Sequence, residues 1–386
     1  MPSPLSRYLR PGCGVVVGQA CSEPQTLMEM LVAERAAFSG AQVFLGANYS
    51  GIAKPAHADH LRFGAYCGAG HNRALADAGV LDIHPHPYSR LGPLFREGRI
   101  PCDVAMIQVS PPNARGEYSM GLGADYLVPA LEKAGVILAE VNAQVPWTHS
   151  VKRFRREDFA LLVESDRPPA QAPAGRSGPA EQAIARNAAQ WIPEDATLEF
   201  GLGVLPDAVC GALLGRKNLA IHTGTMGDGI VELMKAGIVK RADCAMLIGS
   251  EKLFAFAREN PGILLHSTDY THDPRVLARI PRFVAINSAV EVDLTGQVNA
   301  EVAKGSYLGA VGGALDFMRA AAQSPDGVSL LLLPASRIVE KLSGPVSTPR
   351  SEAGVIVTER GSADLRGCSL NERIRRMRAI STLEAA

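Results

Sequence analysis

The sequence predicts an α/β protein built as two domains, and three observations carry that reading. Apolar, β-branched runs of strand length alternate with amphipathic stretches along the whole chain. The 386 residues exceed what a single core usually organises. The stretch "ESDRPPAQAPAGRSGPAEQ" (164–182) is rich in Pro, Ala, Gly and Ser and has no apolar periodicity, so it reads as a linker. The expected division is an N-terminal α/β domain over 1–165, a linker over 166–181 and a C-terminal α/β domain over 182–386.

In the first half, "CGVVVG" (13–18), "AQVFLG" (41–46), "CDVAMIQVS" (102–110) and "GVILAEVN" (135–142) read as buried strands. "EPQTLMEMLVAERAAF" (23–38) and "ADYLVPALEKA" (124–134) read as helices. In the second half the strands are "ATLEFGLG" (196–203), "NLAIHT" (218–223), "CAMLIG" (244–249), "FVAINS" (283–288) and "VSLLLLPAS" (328–336). Its helices are "PDAVCGALLG" (206–215), "DGIVELMKAG" (228–237) and "EKLFAFAREN" (251–260). Each half opens with a strand, a small-residue turn, a proline (Pro24, Pro206) and a helix. Proline suits a first helical turn, where a missing N–H costs nothing. An internal duplication and the generic β–turn–α unit both explain the repeat.

Composition excludes several classes. With 47% apolar and 20% charged residues the chain is an ordinary globular sequence. Its formal net charge of zero argues against a nucleic-acid partner. No apolar run reaches the ~18 residues of a membrane span, and "MPSPLSRYLRPGCGVVVG" is not a secretory signal. Seven scattered cysteines without a CxxC pair are expected to be reduced thiols in the cytoplasm. "HADH" (57–60) and "HPHP" (84–87) have suggestive spacings but no Cys or carboxylate set beside them, so no metal is expected. Neither a G-x-S-x-G elbow nor a Walker A motif occurs.

Several loops are placed for ligand contact. "FGLGVLPDAV" (200–209) is a G-x-G turn from strand to helix, which either serves as a tight turn or aims backbone N–H groups at an anion. "EVNAQVPWTHS" (140–150) leaves a strand end, where open α/β sheets gather ligands, so Glu140, Asn142 and Gln144 either line a cleft or bond within the loop. His222 reads as hydrogen-bonded structure, and Asp228 as a helix cap. "INSAVEVDLTGQVNAE" (286–301) reads as strand, turn and strand, with Val290, Val292 and Leu294 on one face and Glu291 and Asp293 on the other. On spacing alone, Glu291 is better explained as a surface-facing strand residue than as a nucleophile. A carboxylate nucleophile needs a partly dry site with dipoles that keep it ionised, and the glycine turn "YLGAVGGALDF" (307–317) offers backbone donors.

"INSAVEVDLTGQVNAE" followed by "GAVGGALDF" resembles the signature of the acetyl-CoA hydrolase/transferase family, class I CoA-transferases of the 4-hydroxybutyrate CoA-transferase type. "CDVAMIQVSPPNARGEYSMG", "AEVNAQVPWTHS", "GLGVLPDAV", "IHTGTMGDGIVELMKAGIV" and "STPRSEAGVIVTERGSADLRGCSLNERI" match family segments in order, so the resemblance covers most of the chain. It implies two related open α/β domains with the active site between them. It implies that Glu291 is the catalytic nucleophile, that Gly312 and Gly313 border the thioester site, and that Gly201 and Gly203 lie at the CoA cleft. Two positions depart from the family pattern: Arg360 stands where a tyrosine is usual, and Gly224 where a glutamate or similar residue is common. The implied activity is transfer of CoA from an acyl-CoA to a short-chain carboxylic acid through a glutamyl-CoA thioester. Alternatives are acyl-CoA hydrolysis on the same site and non-catalytic acyl-CoA binding. The implied partners are acyl-CoA and small carboxylic acids. No cofactor is expected beyond CoA as substrate, and self-association stays open.

Overall fold

Strands buried on both faces need cover on both faces, and they read as near-continuous apolar runs rich in β-branched residues. Gly14–Val17 (β1) and Val104–Val109 (β5) are such runs, with every residue buried. They pair in parallel at the centre of a seven-stranded sheet. Its other strands are Gln42–Phe44 (β2), Arg62–Ala65 (β3), Leu81–Ile83 (β4), Val136–Asn142 (β6) and Leu161–Ser165 (β7). The order is β4-β3-β2-β1-β5-β6-β7, and all six pairings are parallel. The computed structural model describes residues 4–173 and 175–384.

The second sheet uses Thr197–Phe200 (β8), Leu219–Met226 (β9), Val239–Leu247 (β10), Ile263–Leu265 (β11), Phe283–Ser288 (β12), Val328–Leu332 (β15), Val355–Thr358 (β17) and Gly361–Asp364 (β18). Its order is β11-β10-β9-β8-β12-β15-β17-β18. Strand for strand, the first seven repeat the winding of the other sheet: three strands to one side of the first, then three to the other. β18 is added antiparallel at the edge. A smaller three-stranded sheet holds Glu291–Asp293 (β13) between Val298–Asn299 (β14) and Ile338–Val339 (β16).

The chain clusters into two compact units, but not along contiguous boundaries. The first takes the chain up to Ala172 together with Ala245–Asp269 and Ser306–Leu308; the second takes the rest. Backbone bonds explain why 245–269 belongs with the first: Ala245 O accepts from Ala124 N at 2.9 Å, Leu247 N donates to Leu122 O at 2.8 Å, and Leu265 N to His149 O at 2.9 Å. The expected linker is also partly built into structure. Ser165 ends β7, the Pro168 carbonyl accepts from Gln25 Nε2 at 2.9 Å, and a helix starts at Pro179. Ala174, inside that stretch, lies outside the described residues.

Helices cover the first sheet from Gln25–Ala33 (α1) and Leu127–Lys133 (α2), with Leu27, Met28 and Leu31 in one core with Val15, Val43, Phe63 and Met106. Around the second sheet lie Pro179–Ala189 (α3), Val204–Ala212 (α4), Asp228–Lys235 (α5), Ala314–Gln323 (α7) and Leu370–Ala379 (α8), while Glu251–Ala257 (α6) belongs to the first unit. Gly227, not Asp228, is the cap of α5. No helix among the described residues is long and apolar enough to cross a membrane.

Candidate active site

In a doubly wound sheet the strand order reverses at one point, and loops leaving the carboxyl ends of the two strands there diverge to open a crevice. In the second sheet that point lies between β8 and β12. The G-x-G turn leaves β8, and the segment carrying Glu291 leaves β12. Gly201 N bonds Ile286 O at 2.8 Å, and a β-carbon on Gly201 would meet Asn287 Oδ1 at 2.8 Å. Gly203 has φ +122, in the region that favours glycine, and nothing stands within 4 Å of the place its β-carbon would take.

Glu291 does not lie on a surface face. It is 7% exposed and Asp293 5%. The alternation expected over 290–294 fails because β13 is only three residues long and is buried on both sides. Val292 and Leu294 enter a core with Val298, Leu331, Ile338 and Met377. Asp293 closes the turn to β14: its Oδ1 accepts from Thr295 N at 2.8 Å and Gln297 N at 3.0 Å, and its Oδ2 from Gln297 Nε2 at 2.6 Å. Gly296, at φ +97, supplies the left-handed residue of that turn.

The other face of β13 is covered by donors. Oε1 of Glu291 accepts from Ser343 N at 2.5 Å, Ser343 Oγ at 2.9 Å, Asn299 Nδ2 at 3.0 Å and Gly344 N at 3.2 Å. Oε2 lies 3.0 Å from the same Ser343 hydroxyl, whose single proton serves one oxygen at a time. Burial pushes the Glu291 carboxyl up, but the bonds from Asn299, Ser343 and Gly344 outweigh it and hold the group below the usual carboxylate range. Glu291 is thus a buried, ionised carboxylate with one oxygen saturated and the other lightly held.

Asn299 faces Glu291 across the antiparallel β13–β14 pair. Its amide cannot turn over: Oδ1 accepts from Glu301 N and Val302 N, both at 3.0 Å, while Nδ2 also donates to Val302 O at 2.7 Å. The glycine turn is stapled to the residues that follow. Gly309 N donates to Glu301 O at 2.9 Å and Ala310 N to Ala300 O at 3.2 Å. A β-carbon on Gly309 would sit 1.9 Å from Ala300 O, so only glycine fits there. Gly312 is left-handed at φ +58, and Gly313 caps α7.

The loop of 140–150 does a different job from the one its position invites. Glu140 and Asn142 are fully buried. Glu140 accepts from Thr26 N at 2.6 Å, Leu27 N at 3.3 Å, Thr26 Oγ1 at 2.9 Å and Ser165 Oγ at 2.6 Å, which places its charge at the N-terminus of α1. Asn142 Nδ2 donates to Gln108 Oε1 at 3.0 Å and Arg167 O at 2.9 Å, and its Oδ1 accepts from Gln144 N at 3.1 Å. These residues knit strand ends together, the bonding within the loop that the sequence also allowed for Asn142. Gln144 is exposed, with Nε2 on Asp166 Oδ1 at 2.9 Å. Trp147 is held by Nε1 on Glu117 O at 3.1 Å.

Arg360 reaches the Ser381 carbonyl, and Thr358 Oγ1 donates to Ile380 O at 2.9 Å, so the β17–β18 turn grips the C-terminal end of α8. His222, as expected, is structural: it is 5% exposed with Nε2 on Thr271 O at 3.0 Å. Sequence reasoning missed Ser343 and Gly344, about fifty positions after Glu291, whose only local signal is a Ser-Gly turn before Pro345. Asn299 stood in the quoted motif without a role.

The chain is similar in sequence and fold to known proteins. The model of the acetyl-CoA hydrolase/transferase N-terminal domain matches residues 4–154, and that of the C-terminal domain matches 249–383. A 4-hydroxybutyrate coenzyme A transferase of Clostridium kluyveri is 34% identical over 381 residues, spanning 94% of this chain and 89% of its own. The crystal structure of 4-hydroxybutyrate CoA-transferase from Porphyromonas gingivalis superposes with a TM-score of 0.82 at 31% identity, covering 98% of this chain and 92% of the other. That of RipA from Yersinia pestis does so at 0.92 and 27%, with the same coverage.

Proposed function

The chain belongs to the acetyl-CoA hydrolase/transferase family and is a CoA-transferase, and we propose that it moves CoA between short-chain carboxylic acids through a covalent intermediate on Glu291. The observation that carries the mechanism is the cradle: a buried carboxylate kept ionised by donors that converge on one of its oxygens.

The asymmetry assigns the atoms. Oε2 attacks the acyl-CoA carbonyl, the C–S bond breaks, and CoA thiolate leaves, giving an acyl-glutamyl anhydride. The thiolate then attacks the Glu291 carboxyl carbon. The first acid departs with Oε2, and a glutamyl-CoA thioester remains. A second carboxylate attacks that thioester and expels thiolate, which takes the new acyl group and restores the glutamate with an oxygen from the second acid. Each attack on the Glu291 carbon drives charge onto Oε1, where Ser343 N, Gly344 N and Asn299 Nδ2 already point. Such donors contribute roughly 3 kcal/mol apiece when they are aimed at the developing oxyanion. Donor acid, acceptor acid and enzyme group are all carboxylates, so the thioester's energy is conserved. Gly312 and Gly313 border the thioester site and Gly201 and Gly203 face CoA in this reading. It asks nothing of a metal or a resident cofactor.

Glu291→Ala and Glu291→Gln are expected to lose at least about a thousandfold in turnover while keeping the wild-type melting temperature. The acceptor is tested alongside, by comparing CoA ester formed from acetyl-, butyryl- or succinyl-CoA plus a short acid with free thiol released when no acid is present. Parallel double-reciprocal lines and slow thiol release are expected of a transferase. Thiol release without acceptor as fast as ester formation with one makes the protein a hydrolase.

A further inference from the structure

A row of side chains inside the second unit ends on the glycine turn, and the reaction scheme leaves it unused. The carbonyl of Thr271 can only accept, so His222 Nε2, 3.0 Å away, carries its proton there. The next residue along is His272, 2% exposed, with Nδ1 2.8 Å from Thr271 Oγ1. Its ring packs on Phe317 of α7 with centroids 4.5 Å apart. Two glycines stand against this pair of rings. A β-carbon on Gly313 would lie 2.6 Å from His272 Nε2 and 3.2 Å from Phe317 Cε2. One on Gly224 would lie 3.1 Å from His272 Cε1 and Nε2 and 3.6 Å from Phe317 Cε2. Burial, with His222 adding to it, pushes the His272 imidazole down to about 3. The start of α7 disfavours a cation as well. The ring is therefore neutral at neutral pH.

We infer that His272 is a positioning residue: its ring, fixed by Thr271 and Phe317, sets the backbone of Gly312–Gly313 at the start of α7. The inference rests on the reading of that turn as the border of the thioester site. It also bears on Gly224, because the same ring would crowd a β-carbon there at 3.1 Å.

A double-variant cycle tests it. Gly313→Ala alone drives a methyl group into the ring, and kcat is expected to fall by about a hundredfold, the effect of a misplacement near 1 Å. His272→Ala alone frees the turn and is expected to lower kcat by about tenfold with the KM for acyl-CoA unchanged. In the double variant the methyl group takes the vacated space, so Gly313→Ala should cost only about threefold more, a coupling that independent sites do not show. Additive losses around the cycle, or wild-type kcat in His272→Ala, overturn the inference. If His272→Ala does not fold, His272→Ser, which also vacates the space of the ring, takes its place in the same cycle. Turnover is read as ester plus free thiol, so a hydrolase outcome leaves the cycle valid. Failure of the functional reading shows separately, as wild-type enzyme that carries no covalent label on Glu291.

Discussion

Two buried glutamates near the switch point of the second sheet show how environment decides protonation. Glu291 accepts from four donor atoms on one oxygen and stays ionised. Glu199, on β8 and 2% exposed, has two: Asn287 Nδ2 at 2.8 Å and Ile286 N at 3.2 Å. Burial wins there and pushes Glu199 up to about 8, so it is protonated at neutral pH. Its folded-state value lies above the ordinary 4.5 of the unfolded chain. The stability that follows is therefore complete below that ordinary value and is lost as pH rises through the folded one. Glu199→Gln keeps the shape without the charge. Between about pH 5 and about pH 8, its melting temperature should gain steadily on the wild type's, and the difference should level off above that. A constant difference across that range would contradict the assignment.

At the scale of elements, the site is a three-stranded sheet and the loop that covers it. β13 supplies the carboxylate, β14 supplies Asn299 directly opposite, and the chain beyond β16 brings Ser343 and Gly344 onto the acid. Ser343→Ala removes the hydroxyl that lies near both oxygens and leaves the two amides. Hydrogen bonds to charged groups are worth about 1.5–3 kcal/mol, so kcat should fall roughly tenfold to a hundredfold. An unchanged kcat would mean that the hydroxyl plays no part. This element also marks where the sequence stops being legible. Runs such as Val104–Val109 and Phe283–Ser288 declare themselves because burial on both faces leaves a continuous apolar string. β13 is too short for its alternation to reveal which face is covered, and nothing local joins Ser343 to Glu291. Only the family pattern singled out Glu291, and that pattern was silent on its donors. Helices went unread for other reasons, α7 because its first turn lies inside the glycine-rich stretch 307–317. α3 continues the Ala-rich composition of the stretch before it, and α8 buries Met377 behind a run of arginines.

At the scale of the molecule, the two sheets wind alike: three strands outward from the first, then three to its other side. The repeated strand–turn–proline–helix opening was the visible trace of that likeness in the sequence. The boundaries were harder to read, because 245–269 joins the first unit through backbone bonds that composition does not foretell. The connection over 166–181 illustrates the same limit. Arg167 is tied down, its carbonyl accepting from Asn142 and its guanidinium 2.9 Å from Glu29, whereas Arg176 is exposed. Limited trypsin digestion should therefore cut after Arg176 before it cuts after Arg167. First cleavage at Arg167 would show that its bonds do not hold in solution.

In the proposed mechanism Glu291 carries CoA as a thioester during turnover, and this is the step to test. Wild-type enzyme is incubated with acyl-CoA, treated with borohydride to reduce the enzyme-bound thioester, digested and mapped by mass spectrometry. The account predicts one modified peptide, with the carboxyl of Glu291 reduced to the alcohol and no such product from Glu291→Gln. A label on another residue, or an unmodified Glu291 in enzyme that is turning over, would contradict it.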